Sequence, residues 1–391
     1  MVLHPAPDHG EAHDLPVEAW VTALTALEGM GPRRLRALLD HHKSAEAAWG
    51  ALAAGRAHRV AAVAGAMGPE VPGLARRWSD QVASFDPAEY WRRHRAAGIG
   101  VTVRGTPAYP DVFDDDPEPP TILFHQGDPD VVVGPRVAIV GTRDCTRYGF
   151  ELAHELGHDL AVAGVSVISG LALGIDSAAH AGALAADAAP PIALVGSGLD
   201  VIYPRRNGPL WRQVARRGLV WSEYPMGTAA TAWHFPARNR LIAALADVVV
   251  VVESHASGGA LLTAGEALER ATTVMAVPGP VHSPSSAGTN RLLADGGGAA
   301  VARDAADVLL ALGMSPGARR RAAERRRPPA SADREVLDAF GWQPVTLDHL
   351  VLRTGRPVPE LAGALARLEA DGWVAPRGGW FERVAKSGSA P

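Results

Sequence analysis

The chain has 391 residues, 47% of them hydrophobic, and a formal net charge of −4. That length anticipates about two to four domains, and near neutrality confines any nucleic-acid surface to local patches. The lone cysteine, Cys145, excludes an internal disulfide and fits a reducing cytosol, while the densest apolar run, Val248 to Val252, has the length of a strand and not of a membrane span.

Met1 to Leu15 carries acidic and histidine residues but no apolar core, so no signal peptide is read there and a cytoplasmic location is expected. Residues 1–86 read as an N-terminal helical domain: Trp20, Leu24 and Leu27 recur at helical spacing, as do Leu35, Leu38 and Leu39. Between the two sets, Gly29 to Arg34 resembles a helix–hairpin–helix turn whose N–H groups suit a phosphate; a tight turn between packed helices fits it equally.

Residues 87–314 form the central domain. Its entry, from Pro87 to Gly134, reads as irregular and proline-rich, with one strand-like run at Ile122-Leu123-Phe124. Strands then alternate with helices: Val137–Val140, Val165–Ser169, Ile192–Val195, Leu219–Ser222, Val248–Val252 and Val274–Val277. Near-continuous apolar strands mean burial on both faces, hence a Rossmann-like, doubly wound, mostly parallel sheet. Ligands bind beyond the carboxyl ends of such strands. Gly141-Thr142-Arg143, Gly170 to Asp176, Gly196-Ser197-Gly198, Glu223-Tyr224-Pro225 and Ser257-Gly258-Gly259 all fall there.

Residues 315–330, with Arg319 to Arg321 and Arg325 to Arg327, read as a basic exposed linker. Residues 331–391 order three apolar stripes before a hairpin around Trp373 and Trp380, the pattern of a winged helix with a disordered tail. Its third helix carries Glu360, Arg367 and Glu369, a balanced face that suits protein contact or a structural role better than reading DNA.

Two motifs mislead. His154-Glu155-Leu156-Gly157-His158 matches a zinc pattern, but Leu152, Leu156 and Leu160 set the buried stripe and place both histidines on the solvent side. No metal site is expected. Gly170 to Gly174 lacks the Lys-Ser/Thr of a P-loop, and Gly196-Ser197-Gly198 lacks the third glycine of a dinucleotide fingerprint, so no cofactor is expected. Cys145 reads as a small loop residue and His180 as a packed or capping one.

The remaining residues suit an unpaired strand. Gly141 and Thr142 shape a turn that aims Arg143 at a phosphate, with Gly170 and Gly174 in the next loop. Arg238 and Arg240 are expected on the first turn of a helix, with Asn239 between them and Phe235 just before. Guanidinium groups follow a backbone and an aromatic ring stacks a base; Phe235-Pro236 also fits a core anchor before a helix. Arg205 and Arg206 extend the basic rim. Asp176 and Glu223 are acid/base groups or, more simply, orient arginines and cap helices.

Val137 to Arg143, Ser169 to His180, Gly196 to Pro204, Phe235 to Arg240, Ser257 to Ala264, Pro278-Gly279 and Gly288-Thr289-Asn290 together resemble the DNA-processing protein A family (DprA, also called Smf). The resemblance is dense across the central domain and looser outside it. It implies a cytoplasmic, non-enzymatic protein that binds single-stranded DNA, forms homodimers through the Rossmann-like domain and loads the RecA recombinase, including in natural transformation. Carried over, Arg143 holds a phosphate, Phe235 meets a base, and Arg238, Asn239 and Arg240 wall the pocket. The family pattern has a lysine shortly before the Phe-Pro pair; here stand Ala232, Trp233 and His234, which leaves one backbone contact unassigned.

A rival reading is an enzyme. Gly258-Gly259-x-x-x-Thr263-x-x-Glu266 is similar to the signature of nucleoside-monophosphate phosphoribohydrolases, with Glu266 as the catalytic group, but its spacing is one residue longer.

Overall fold

The computed structural model describes residues 15–42, 44–56, 71–294, 296, 298–315, 328–341 and 344–384. The basic runs between 319 and 327, most of the first fifteen residues and the C-terminal tail lie outside them.

Five helices open the described chain: α1 (Val17–Thr25), α2 (Pro32–His41), α3 (Ala45–Ala53), α4 (Val71–Ser84) and α5 (Pro87–Ala96). Helix α5 departs from the irregular segment expected there. Asp86 caps it by accepting from the Ala88 and Glu89 amides, and Pro87 sits in the first turn, where its missing N–H costs nothing. The hairpin turn before α2 has Gly29 at φ +69°. Its arginines reach the segment before β2: Arg36 donates to the Pro119 carbonyl and Arg33 lies 3.7 Å from Glu118.

The strands β1 (Gly100–Val103), β2 (Ile122–Gly127), β3 (Arg136–Val140), β4 (Ser166–Ser169), β5 (Ile192–Leu194), β6 (Leu219–Ser222), β7 (Val248–Val251), β8 (Thr273–Ala276) and β9 (Ala299–Val301) make one sheet in the order β1-β2-β6-β5-β4-β3-β7-β8-β9. Pairing is parallel from β6 through β9, and β1, β2 and β6 pair antiparallel. The chain leaves β3 toward β4, β5 and β6, then returns to lay β7 on the other side of β3. The crevice beyond β3 and β7 is therefore the switch point where doubly wound sheets take ligands.

Alternate side chains of β3 and β7 enter two different cores. Ala138, Val140, Val249 and Val251 meet α9 (His234–Leu245) and α10 (Ala260–Glu269). Val137, Ile139, Val248 and Val250 meet α6 (Arg147–Val162) and α7 (Ile175–Ala186). All eight are at most 4% exposed, and burying each valine-sized side chain contributes on the order of 2 kcal/mol. A third core joins α1 to α4, α8 (Gly208–Arg217) and one face of β2, β5 and β6, so the N-terminal helices are continuous with the sheet. Helices α11 (Ala287–Ala294) and α12 (Ala305–Ala311) close the parallel part.

Helices α13 (Ser331–Ala339), α14 (Leu347–Thr354) and α15 (Val358–Ala370), with the hairpin β10 (Val374–Arg377) and β11 (Trp380–Arg383), form the expected winged helix around its own apolar core. On its third helix, Arg367 pairs with Asp333 at 2.6 Å.

Candidate functional site

Three loops meet at the switch point. After β3, the Thr142 amide donates to the Glu253 carbonyl at 2.8 Å, tying the Gly141-Thr142-Arg143 turn to the end of β7. Arg143 then projects outward and is exposed. Its guanidinium carbon lies 4.7 Å from the centroid of the Phe235 ring, a cation–π contact, and the Tyr203 ring lies 5.6 Å from Phe235. One cation and two aromatic faces, from two loops and the first turn of α9, thus form a single surface.

The second loop, Gly170 to Gly174, approaches the first closely. Gly174 has φ +76°, and a Cβ there would fall 2.4 Å from the Thr142 carbonyl oxygen. Leu171 adopts the left-handed region, φ 53°, a strained choice for a residue with a side chain. Its buried side chain and the loop's hydrogen bonds hold it. The Asp176 carboxylate accepts from the Gly170 and Ala172 amides, and Asn207 donates to the Leu171 and Ala172 carbonyls at 2.8 and 3.1 Å. Asp176 therefore organises the loop. Burial pushes its carboxyl above the usual range, opposed by Arg238 and the two amides. Asn207 belongs to none of the sequence motifs. Its place right after Arg205-Arg206, beyond β5, the third strand of the parallel run, is the available signal.

Arg238 and Arg240 lie deeper than expected. Helix α9 starts at His234, so both fall beyond its first turn and are buried, 6% and 9% exposed. Arg238 lies under the second loop: a Cβ on Gly170 would overlap its Nη1 at 1.6 Å. Its Nη1 donates to the Leu194 carbonyl at 2.8 Å, and its Nε has no partner. Burial pulls its pKa down to about 10; Asp176 opposes the shift and Arg143 adds to it. Arg240 points elsewhere. Its Nη2 donates to both oxygens of the buried Glu223 carboxylate at 2.6 Å, and its Nη1 to the Glu118 carbonyl at 2.6 Å. Asn239 reaches the Gly259 carbonyl at 3.4 Å, linking α9 to the loop before α10. Trp233 stands exposed at the α9 start, edge-on to His234, and Arg205 and Arg206 are exposed beyond Tyr203.

Glu253 is the second residue that the motifs did not reveal. It lies two residues past β7, is 4% exposed, and accepts from the Thr146 hydroxyl at 2.6 Å and the Thr146 amide at 2.9 Å. Thr146 caps α6, and a Cβ on Gly149 would lie 2.4 Å from the Glu253 carboxyl carbon. The protein's own carboxylate thus fills the helix N-terminus where a Rossmann-like fold commonly seats a nucleotide phosphate. Burial raises its pKa, and the Thr146 donors oppose that.

The other motifs take ordinary places. The buried face of α6 is Ala153, Leu156, Gly157, Leu160 and Ala161, centred one residue later than expected; Leu152, His154 and His158 are only partly buried. The histidines are therefore not fully on the solvent side, because Gly157 and Gly182 let α6 and α7 pack closely and cover that flank. No group of three metal-binding side chains occurs among the described residues. Burial pushes the Cys145 thiol up to about 11, and His180 is buried with its Nε2 on the Ile192 carbonyl. Glu266 is held by Arg270 at 2.6 Å, and Arg270 also reaches Asp116 at 2.7 Å. No described helix is long and apolar enough to cross a membrane.

Residues 100–313 match the model of the DNA recombination-mediator protein A family, and residues 320–379 match that of the DprA winged helix domain. Protein Smf of Synechocystis is 29% identical over 398 residues, covering 91% of this chain and 96% of that protein. The crystal structure of DNA processing protein A from Streptococcus pneumoniae superposes with a TM-score of 0.61 at 28% identity, covering 75% of this chain and 96% of that one. A structure describing the single-stranded DNA binding mode of DNA processing protein A from Helicobacter pylori gives a TM-score of 0.50 at 31% identity, covering 55% and 95%.

Proposed function

The chain belongs to the DNA recombination-mediator protein A family, and we propose that it binds single-stranded DNA at the rim built by Arg143, Phe235 and Tyr203. The observation that carries this is the exposed Arg143 guanidinium lying 4.7 Å from the Phe235 ring at the sheet's switch point. A phosphate meets the cation while a base meets an aromatic face, a pairing that needs bases free of a duplex. Arg238, buried below Gly170 with an unpartnered Nε, adds positive potential behind the loop. The Helicobacter pylori relative, described as binding single-stranded DNA, supports the same ligand class.

Binding without covalent chemistry is part of the proposal. Asp176 is engaged by loop amides, Glu223 by Arg240, Glu253 by Thr146 and Glu266 by Arg270, so these four carboxylates already have structural partners. Family membership further supports homodimerisation through the sheet domain, transfer of the strand to RecA during DNA uptake and recombination, and a cytoplasmic site of action.

Anisotropy titration of labelled oligothymidine tests the site. Arg143→Ala is expected to weaken binding about tenfold, near 1.4 kcal/mol, with wild type preferring single- over double-stranded oligonucleotide. Unchanged affinity in both Arg143→Ala and Phe235→Ala would remove the site. Release of free base from AMP or CMP, abolished by Glu266→Gln, would turn the reading toward the phosphoribohydrolase.

A further inference from the structure

Beside α8 lies an open cavity of about 330 Å³. Leu199, Ile202, Trp211 and Ala215 give it an apolar floor, Gly98, Gln126 and Gly127 form its far side, and Arg212 and Arg216 stand on its α8 wall. Trp211 is anchored by its indole N–H, which donates to Gln126 Oε1 at 3.4 Å. Ile202, at one end of the lining, directly precedes Tyr203, and Gly127, Ala215 and Arg216, at the other end, lie by the amino end of β6, so the cavity runs alongside α8 away from the rim.

Charge at this cavity is one-sided. Arg212 and Arg216 in the lining, and Arg205 and Arg206 in the turn just before α8, are exposed, and none has a carboxylate partner among the described residues. Arg212 and Arg216 are four apart on α8, hence on one face and about 6 Å apart along its axis. Arg217, by contrast, is satisfied by Asp187 and the Leu184 carbonyl. Asp200 is the single acid in the cavity lining, and both of its oxygens accept from the Gly227 amide. Arg93 on α5 is exposed and close enough for its charge to act, like that of Asp200, on Tyr90 and His94. In water such exposed cations repel one another by less than about 1 kcal/mol, so the pair stays open as a landing place for phosphates.

We propose that this cavity is a second subsite for the same single strand: phosphates past the Arg143 contact lie on Arg212 and Arg216, and a base rests on the apolar floor. The inference builds on the strand site proposed above. Direction follows from the layout, because Tyr203, Arg205 and Arg206 connect the two places along one continuous stretch that leads into α8.

Oligothymidines of two lengths separate the two sites: one of about six nucleotides, filling only the Arg143 rim, and one of about fifteen, reaching both. In Arg212→Ala/Arg216→Ala, short-strand affinity is expected to match wild type, long-strand affinity to fall about tenfold, and the long-strand salt slope to drop by about 1.4, two single-strand phosphates' worth. Arg212→Lys/Arg216→Lys should restore both, because a phosphate contact accepts a point charge. An unchanged long-strand affinity and slope in the alanine variant would overturn the second subsite. If instead the short strand binds Arg143→Ala as well as wild type, the rim reading fails, while the comparison of α8 variants on the long strand still stands alone.

Discussion

The Arg143 guanidinium and the Phe235 ring form one unit, 4.7 Å apart, although they come from the end of β3 and the start of α9. The ring holds the cation over the crevice before any ligand arrives, which reduces the side-chain ordering that binding would otherwise require. A double-mutant cycle is therefore expected to be non-additive. Arg143→Ala and Phe235→Ala each weaken oligothymidine binding, and the double variant loses less than their sum, with a coupling of about 0.5–2 kcal/mol. Additive losses would mean that the two side chains act on separate parts of the strand.

Arg240 predicts a different phenotype. Its partner Glu223 is buried, and both carboxylate oxygens accept from the Arg240 Nη2. Arg240→Met leaves that carboxylate uncompensated, at a cost of about 3–5 kcal/mol by thermal or urea unfolding. Glu223→Gln/Arg240→Met should recover much of the loss, and its folded form should bind oligothymidine within about twofold of wild type. A stable Arg240→Met with DNA binding weakened about tenfold would instead place this guanidinium in the interface.

Much of this was legible in sequence because parallel strands buried on both faces must be apolar throughout, as Val248 to Val251 are. Loop glycines then mark the strand ends, and Gly141, Gly170 and Gly174 do stand together at the switch point. Depth was not legible. Arg238 and Arg240 have the composition of a rim, but α9 begins a turn too early for that, and a helix start is uncertain by a few residues without its cap in view. Strands β1 and β9 carry little signal because their runs, Gly-Val-Thr-Val and Ala-Ala-Val, are short and lie at the sheet edges. Glu253 was invisible for another reason. A carboxylate after a valine run reads as a solvent-facing strand end, and only the fold brings it to Thr146, more than a hundred residues earlier.

That carboxylate makes a third prediction. Glu253→Ala removes the acceptor for the Thr146 hydroxyl and amide at the α6 start. The expected loss of stability is about 1–3 kcal/mol. It also vacates an anion position beside helical N–H groups. Added inorganic phosphate should then raise the thermal midpoint of Glu253→Ala more than that of wild type. Equal responses in the two proteins would mean that the carboxylate does not occupy an anion site.

Stability should also fall in mild acid. Burial is the main cause that lowers His94, His125, His154, His180 and His234 below their ordinary value of 6.5, with His180 brought down to about 4. Between those values the unfolded chain takes up protons that the native histidines refuse, so unfolding becomes easier as pH drops from about 6.5 toward 4. His180 alone is worth on the order of 3 kcal/mol across that window. Asp176, Glu223 and Glu253 act the other way. Their raised native pKa values mean that the native state binds extra protons just above the ordinary carboxylate range, which favours folding at the acid end. His180→Gln isolates the histidine, since glutamine can still donate to the Ile192 carbonyl but does not titrate. Its thermal midpoint should fall less steeply than that of wild type between about pH 7 and 5; identical slopes would mean that His180 does not carry the acid sensitivity.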